Sequence, residues 1–280
     1  MLGLVLHVVM AMGLVCNGVA ICVILRQDAR KPDLSLALVM VVSDLLLVIF
    51  NLGSSLIACF SNTSSGQWKA IPTIFLLQQS GVSVGFLALL RFWVIVMRRK
   101  VNLKMWWLWF TVGQVVVLSF VIAVACEDQF ENLQLMSLYF PALNSGSWVV
   151  EACRHILLFS LIWPVVAVNV SYPCIAHLYE SHLRFLESEE LRPRLTLQMY
   201  FKILGFMLIY NFVMIPSLLV ILLEEVTGEL QSPILESISV VALFSSTFFN
   251  PLVLLTLHHE TFCEFKNLLS QVKWKLKLST

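Results

Sequence analysis

The chain has 280 residues, of which 59% are hydrophobic and only 12% are charged. Its mean hydropathy is +0.87. A soluble domain of this size cannot bury so large an apolar share, because the surface of a soluble protein is largely polar. The formal net charge of +1 gives no sign of a nucleic-acid partner, and we expect none. Composition therefore favours a membrane protein.

Seven apolar runs divide the chain, and each is long enough to cross about 30 Å of hydrocarbon at about 1.5 Å per helical residue. We predict transmembrane helices at Leu2–Leu25, Leu34–Phe60, Ile71–Met97, Met105–Ala125, His155–Tyr179, Leu197–Leu223 and Ile234–Leu257. Strands are excluded, since open sheets leave backbone groups unpaired in lipid and the runs lack the alternation of a barrel. The predicted fold is an all-α membrane protein, a seven-transmembrane helix bundle over residues 1–258.

The distribution of lysine and arginine predicts the orientation of the bundle. Fourteen of these residues follow spans one, three, five and seven, whereas the opposite connections hold Lys69 and Arg154. Positive charge concentrates on the cytoplasmic side of membrane proteins. We therefore expect a plasma-membrane protein with its N-terminus outside and its C-terminus in the cytoplasm. Asn62 begins an Asn-Thr-Ser sequon in an outer loop, where glycosylation is expected.

Residues 259–280 follow the last span and carry a different pattern. Five apolar residues recur there at helical spacing beside two lysines: Phe262, Phe265, Leu268, Leu269 and Val272, with Lys266 and Lys273. This pattern is typical of a short amphipathic helix that lies on the inner membrane face. The alternative is a solvated tail whose periodicity arises by chance.

Asp44 lies about halfway through the second span, and an ionisable side chain in lipid is costly unless it has a partner or a function. Polar side chains occur at similar depth on three other spans, namely Asn17, Ser80, Ser246 and Asn250. Carboxylate, amide and hydroxyl oxygens suit a hard cation such as Na⁺. We predict a sodium site formed by Asp44 with these residues. The alternative is a set of unrelated hydrogen bonds between helices.

Enzyme chemistry has little support in the sequence. The six histidines show no metal-ligand spacing with acidic residues or cysteines within the spans. No phosphate loop, nucleophile elbow or HExxH motif is present. We therefore expect neither an enzyme nor a cofactor other than sodium.

Several short motifs occur in order along the spans. They are Cys16-Asn17-Gly18-Val19, Ser43-Asp44-Leu45-Leu46, Leu90-Arg91-Phe92, Pro164 with Tyr172, Phe206 through Pro216, and Asn250-Pro251. In these motifs and their spacing, the chain from Leu14 to Leu269 resembles the rhodopsin-like (class A) G-protein-coupled receptors. The resemblance implies a receptor that passes an extracellular signal to heterotrimeric G proteins, in contact with membrane lipid.

The resemblance also assigns roles to residues. The coupling and switch positions are Arg91, Tyr172, Pro216, Asn250 and Pro251. The ligand-facing positions are Thr73, Ile74, Leu77, Gln78, Ser160, Met214, Ser217 and Phe244. Because this set is mainly apolar, a lipid or a small neutral ligand is expected. The absence of a carboxylate from the outer half of span three argues against an amine, and the absence of lysine from span seven excludes a retinal Schiff base. Acidic residues near the mouth leave a basic peptide open.

Several positions depart from the family pattern, as in a divergent, orphan-type receptor. Leu90 replaces the acid that usually pairs with the adjacent arginine, so the resemblance implies ligand-independent signalling. Met214 and Leu254 replace the usual aromatic residues of spans six and seven. A receptor fold that does not couple, acting as a decoy or partner subunit, therefore stays open. A small transporter that uses Asp44 as a proton or sodium relay stays open as well.

Three cysteines lie on the predicted outer side, where disulfides form. A bond between Cys126 and Cys153 would close the long outer loop on itself, as in some lipid receptors of the family. Cys59 with either partner is the alternative.

Overall fold

A computed structural model describes residues 2–27, 32–61, 69–133, 138–141, 146–186, 192–229, 231–257 and 259–278. The helices are α1 Leu2–Leu25, α2 Pro32–Ser61, α3 Ala70–Arg91, α4 Leu103–Cys126, α5 Trp148–Leu186, α6 Arg192–Thr227, α7 Pro233–Leu257 and α8 His259–Leu278. Within the described residues, α1 to α7 are each long and apolar enough to cross a membrane. The predicted all-α bundle of seven spans is confirmed. Asn62 and its sequon lie outside the described residues.

Two of the helices are longer than the sequence predicts. α5 has 39 residues and α6 has 36, and both continue beyond their apolar segments towards the connection that joins them. About 20 residues are enough to span the hydrocarbon, so several turns of each helix lie beyond it. Hydropathy marks the membrane boundary of a helix and gives no information about its end in water.

A two-stranded hairpin follows α4, which the sequence analysis did not predict. β1 is Phe130–Leu133 and β2 is Leu138–Pro141, paired antiparallel with Phe130 opposite Pro141. The Phe130 side chain is buried in a cluster with residues of α3, α4 and α5, including Ala70 and Val150. The hairpin therefore packs against these helices at the predicted outer end of the bundle.

The helices enclose one large apolar core. Its buried residues come from α1, α2, α3, α5, α6 and α7, including Val23, Val41, Ala88, Val168 and Val213. α3 contacts α2, α4 and α5, and α7 contacts α1, α2 and α6. These two helices are also the most buried of the seven spans, so they occupy the centre of the bundle, where polar side chains of neighbouring helices can meet away from lipid.

Small residues allow two close helix approaches. A Cβ at Gly13 of α1 would lie 2.8 Å from Thr247 Oγ1 of α7. A Cβ at Gly85 of α3 would lie 2.8 Å from Trp163 and 2.9 Å from the backbone of Pro164 on α5. Glycine at such points lets helix backbones approach within the membrane, where close packing favours association.

α8 confirms the predicted amphipathic helix after the last span. It contacts both α7 and α1. Arg26, just beyond α1, forms an ion pair with Glu264 at 3.9 Å and donates to Gln271 Oε1 at 3.2 Å. α8 is therefore tied to the end of the bundle at which α1 and α7 meet.

Candidate functional site in the centre of the bundle

The predicted mid-membrane polar residues partly come together around Asn250 of α7. Its side-chain amide donates to Asp44 Oδ2 of α2 at 3.1 Å and to Ser80 Oγ of α3 at 3.0 Å. Ser80 is also a hydrogen-bond partner of the Asp44 carboxylate. Asp44 is 0% exposed, Ser80 1% and Asn250 8%. We call Asp44, Ser80 and Asn250 the polar triad; it joins three helices in the centre of the bundle.

Asn17 is equally buried, and its side-chain amide bonds to two backbone carbonyls. Its amide donates to the backbone carbonyls of Gly13 at 2.8 Å and Thr247 at 2.7 Å. Pro251 lies four residues after Thr247 and has no N–H, so the helix itself cannot pair the Thr247 carbonyl through that position. Asn17 supplies the missing donor from α1. It therefore stabilises the kinked part of α7 beside the triad.

Two oxygens in this region have no hydrogen-bond partner. Asp44 Oδ1 and Asn17 Oδ1 are both buried and unpaired. Buried polar atoms normally have partners, so such atoms call for an explanation such as a bound ion or water. A carboxylate oxygen beside the Ser80 hydroxyl has the donor chemistry that a hard cation prefers. The triad therefore fits sodium chemically.

Ser246 is buried at 3% exposure, one residue before Thr247. Among the described contacts it forms none of the hydrogen bonds of the triad. Of the five residues predicted to bind sodium, the structure thus joins three directly. It places Asn17 and Ser246 in the surrounding buried shell.

A second polar contact lies at the predicted cytoplasmic end of α3. Arg91 Nη1 donates to the Tyr172 hydroxyl of α5 at 3.0 Å. The Tyr172 ring packs edge-on against Phe206 of α6, with ring centroids 4.7 Å apart. Arg91 therefore connects α3 through Tyr172 to α5 and α6. Each of these three helices carries one predicted switch position: Arg91, Tyr172 and Pro216.

A cavity of about 20 Å³ lies between the triad and the arginine. Its lining includes Asn250, Arg91, Tyr172, Phe206 and Leu254. A single water needs roughly 10–15 Å³, together with polar partners. The cavity therefore has room for one water between Asn250 and the Arg91–Tyr172 pair.

Leu90 does not accompany Arg91 towards α5. It is 2% exposed and packs in an apolar cluster with Leu36 and Leu87, next to Trp106 and Trp107. The two neighbours thus face different sides of α3, with Arg91 towards α5 and Leu90 towards α2 and α4. α3 continues from Arg91 into a π-helical turn at Phe92–Val96.

The predicted ligand-facing residues are almost all buried. Leu77 is half-buried, and the others are at most 7% exposed: Thr73, Ile74, Gln78, Ser160, Met214, Ser217 and Phe244. The apolar ones are distributed over three clusters, with Met214 in the large core, Ile74 beside α4 and Phe244 beside α1 and α2. Neither the small cavity nor the groove beside α6 includes any of them. The Gln78 side-chain oxygen is buried without a partner.

The predicted disulfide between Cys126 and Cys153 is absent from the structure, where both are free thiols. Cys126 is exposed at the end of α4, whereas Cys153 is 1% exposed inside α5. Cys153 packs into the apolar cluster with Phe130 and Val150, facing away from solvent. The loop is instead closed by the pairing of β1 with β2.

Sequence reasoning missed two contacts between α5 and α6. At the predicted outer end, Arg154 pairs with Glu225, and His155 Nε2 lies 3.6 Å from Glu225 Oε1. Within the membrane, the amides of Asn169 and Asn211 bond to each other at 2.8 and 2.9 Å. For both contacts, the signal in the sequence was a polar residue on each of two neighbouring helices.

No protein-family model matches the chain, and no curated protein matches it by sequence. Within the described residues, no group of three or more histidine, cysteine, aspartate or glutamate side chains is placed to hold a metal ion. The geometry of the bundle and the polar contacts within it are therefore the features from which a function can be proposed.

Proposed function

We propose that the chain is a divergent rhodopsin-like receptor that passes a signal from outside the cell to heterotrimeric G proteins. The observation that carries the proposal is the run of polar groups from the triad to Arg91. Asn250 bonds to Asp44 and Ser80, and it lines the same small cavity as Arg91 and Tyr172. Two polar contacts that share a cavity, one in mid-membrane and one at a helix end, form an arrangement through which a transmembrane switch can act.

The prolines support movement as the output of this switch. Pro216 interrupts α6 and Pro251 interrupts α7, and each removes one backbone hydrogen bond. Helices bend readily at such positions. Asn250 precedes one of them directly, so a change at the triad acts next to a hinge.

The proposed orientation places the N-terminus outside the cell and α8 in the cytoplasm, as the positive-inside rule favours. The proposed ligand is a lipid or a small neutral molecule, since the eight ligand-facing residues include no charged side chain. Sodium is the proposed ion, with Asp44 and Ser80 as ligands. Enzymatic activity forms no part of the proposal.

The test is nucleotide exchange. Purified protein in lipid nanodiscs is mixed with each class of heterotrimeric G protein, and exchange is measured without added ligand. We expect exchange above the rate of empty nanodiscs, and loss of that increment in Arg91→Ala. Lys202→Ala is the control, because Lys202 is exposed on α6 away from the described Arg91 contacts. No exchange with any class would contradict the proposal.

A second candidate, a receptor fold that does not couple, is favoured by one observation. Met214 packs against Gly81, where an added Cβ would lie 3.2 Å from Met214 Cε. A side chain wedged between α3 and α6 opposes movement of α6. In that case Met214→Ala should permit exchange that the parent lacks.

The transporter alternative predicts sodium flux in liposomes in place of nucleotide exchange.

A further inference from the structure

Asn169 of α5 and Asn211 of α6 form a reciprocal amide pair within the two spans. Asn169 Nδ2 donates to Asn211 Oδ1 at 2.8 Å, and Asn211 Nδ2 donates to Asn169 Oδ1 at 2.9 Å. Asn169 also donates to the Val165 carbonyl of its own helix at 2.8 Å. Both side chains are half-buried. Neither residue belongs to the triad or to the Arg91 contact.

The position of the pair along the helices is informative. Asn169 lies five residues after Pro164, and Asn211 lies five residues before Pro216. Because α5 and α6 run in opposite directions, both amides lie on the same side of the two prolines. This is also the side on which Tyr172 contacts Phe206. The pair therefore joins the segments of α5 and α6 that must separate if α6 bends outward at Pro216.

The surface of α6 beside Asn211 is open. A groove of about 580 Å³ opens along α6 beside Asn211, lined by Leu208, Phe212, Ile215 and Phe249. Its lining is apolar except for Asn211. Phe212 is 69% exposed, so it has no tightly packed neighbour to hold it in place. This face of α6 is therefore open, whereas other residues of α6, including Tyr210 and Val213, pack in the apolar core.

In lipid, the pair stabilises the state in which α6 lies against α5 over the state in which α6 has moved away. When α6 is against α5, each amide has a partner; when α6 moves away, both amides face hydrocarbon without water to replace the lost bonds. Another contact between the helices, from Tyr200 to Glu180 at 2.7 Å, is exposed. Water can replace an exposed contact of that kind at little cost.

We propose that the Asn169–Asn211 pair is a conformational clasp that holds α6 against α5 in the resting state. Opening of α6 breaks both hydrogen bonds of the pair. The consequence for signalling rests on the proposed receptor function, whereas the effect on helix position does not. Leu90 cannot form an ion pair with Arg91. The clasp supplies a restraint on α6 that the sequence motifs do not predict.

The test measures helix position and exchange separately. Probes at Tyr179 of α5 and Lys202 of α6, both exposed, report the α5–α6 distance in nanodiscs without G protein. Asn169→Ala and Asn211→Ala should each raise the open fraction about fivefold to tenfold, since two intramembrane hydrogen bonds are lost. The double variant should open no further than either single variant, because each substitution already breaks the same pair.

Asn51→Ala is the matched control. Asn51 is also half-buried in a span, but its amide donates to the Leu47 carbonyl of its own helix at 2.8 Å. It should leave the distance unchanged. If a single alanine variant does not fold, the α5–α6 distance is measured in the double variant Asn169→Leu with Asn211→Leu. This variant leaves no unpaired amide.

The two proposals fail in different ways. Unchanged distances in all Asn169 and Asn211 variants, or single effects that multiply in the double variant, would overturn the clasp. If the distances widen as expected and no G protein responds, the clasp stands and the receptor function fails. If exchange occurs in the parent and neither exchange nor distance changes in the variants, the clasp alone is wrong.

Discussion

Arg91 donates to the hydroxyl of Tyr172 at 3.0 Å, so the cation at the end of α3 is held by a neutral phenol on another helix. Leu90, its neighbour in sequence, packs towards Leu36 of α2 and Trp106 of α4. Among the described residues, the polar restraint on Arg91 therefore consists of one charge-assisted hydrogen bond between helices. Such a bond is stronger than one between neutral groups, but it lacks the attraction of an ion pair.

Tyr172→Phe should lower stability, because it removes this bond and keeps the ring contact with Phe206. A hydrogen bond to a charged group contributes about 1.5–3 kcal/mol, so the thermal midpoint in detergent should fall by several degrees. Tyr210→Phe is the control. The Tyr210 hydroxyl is buried without a hydrogen-bond partner, so its removal should leave the midpoint unchanged or raise it. Equal losses in both variants would contradict the assigned role of the Arg91–Tyr172 bond.

Leu90→Asp should reduce ligand-independent exchange relative to Leu90→Asn. Both variants place a polar group where Leu90 packs in an apolar cluster, at a cost of about 1–3 kcal/mol. Only the aspartate carries a charge that attracts Arg91, so the difference between the two reports the ion pair. The measurement is exchange at equal surface expression. Equal exchange in Leu90→Asp and Leu90→Asn would show that no pair forms from this side of α3.

The sequence was informative where a physical constraint acts on the chain directly. Seven spans follow from the thickness of the hydrocarbon, and α8 follows from its apolar periodicity. Depth predicted polar partners for the costly Asp44 carboxylate, but it did not distinguish Ser80 and Asn250, which join Asp44 in the triad, from Asn17 and Ser246, which do not.

Contacts that depend on the rotation of a helix about its axis were not predictable. Asn169 and Asn211 lie at matching depth, yet only the packing of α5 against α6 turns one amide towards the other. Cys153 was expected to face the outer loop, but the rotation of α5 turns its thiol into an apolar cluster. The β1–β2 hairpin was missed because its strands have only four residues each.

Sodium should stabilise the parent protein and have no effect on Asp44→Asn. Binding to the folded resting state contributes RT ln(1 + [Na⁺]/Kd), about 0.4 kcal/mol when the concentration equals Kd and about 2.7 kcal/mol at a hundredfold excess. The measurement is the thermal midpoint as sodium chloride replaces choline chloride at constant ionic strength. A similar rise in both proteins would exclude Asp44 as a sodium ligand.

The proposed orientation can be tested with the cysteines. Cys126 is exposed at the end of α4 and Cys263 is exposed on α8. In variants that retain one cysteine, a membrane-impermeant maleimide should label Cys126 on intact cells and Cys263 only after permeabilisation. Cys153 is 1% exposed and should resist labelling in both conditions until the protein is unfolded. Labelling of Cys263 on intact cells would reverse the orientation.

Gly85→Ala should destabilise the bundle, because α3 and α5 approach closely at this residue. The added methyl group would lie 2.9 Å from the backbone Cα of Pro164 and 2.8 Å from the Trp163 ring. Backbone cannot move aside as a flexible side chain does, so α3 and α5 must separate. Overpacking of this kind costs about 1–3 kcal/mol.

Gly113→Ala provides the matched control for this substitution, since Gly113 is an exposed helical glycine of α4 with no atom within 4 Å of an added Cβ. There the methyl group meets only lipid, and alanine favours the helix over glycine by up to about 1 kcal/mol. The thermal midpoint should therefore fall in Gly85→Ala and stay level or rise in Gly113→Ala. The shift at Gly85 should also disturb the Arg91–Tyr172 bond, because that bond spans the same two helices. Combining Gly85→Ala with Tyr172→Phe should accordingly lower the midpoint by less than the sum of the separate effects. A full sum would mean that the helix contact at Gly85 and the bond at Arg91 are independent.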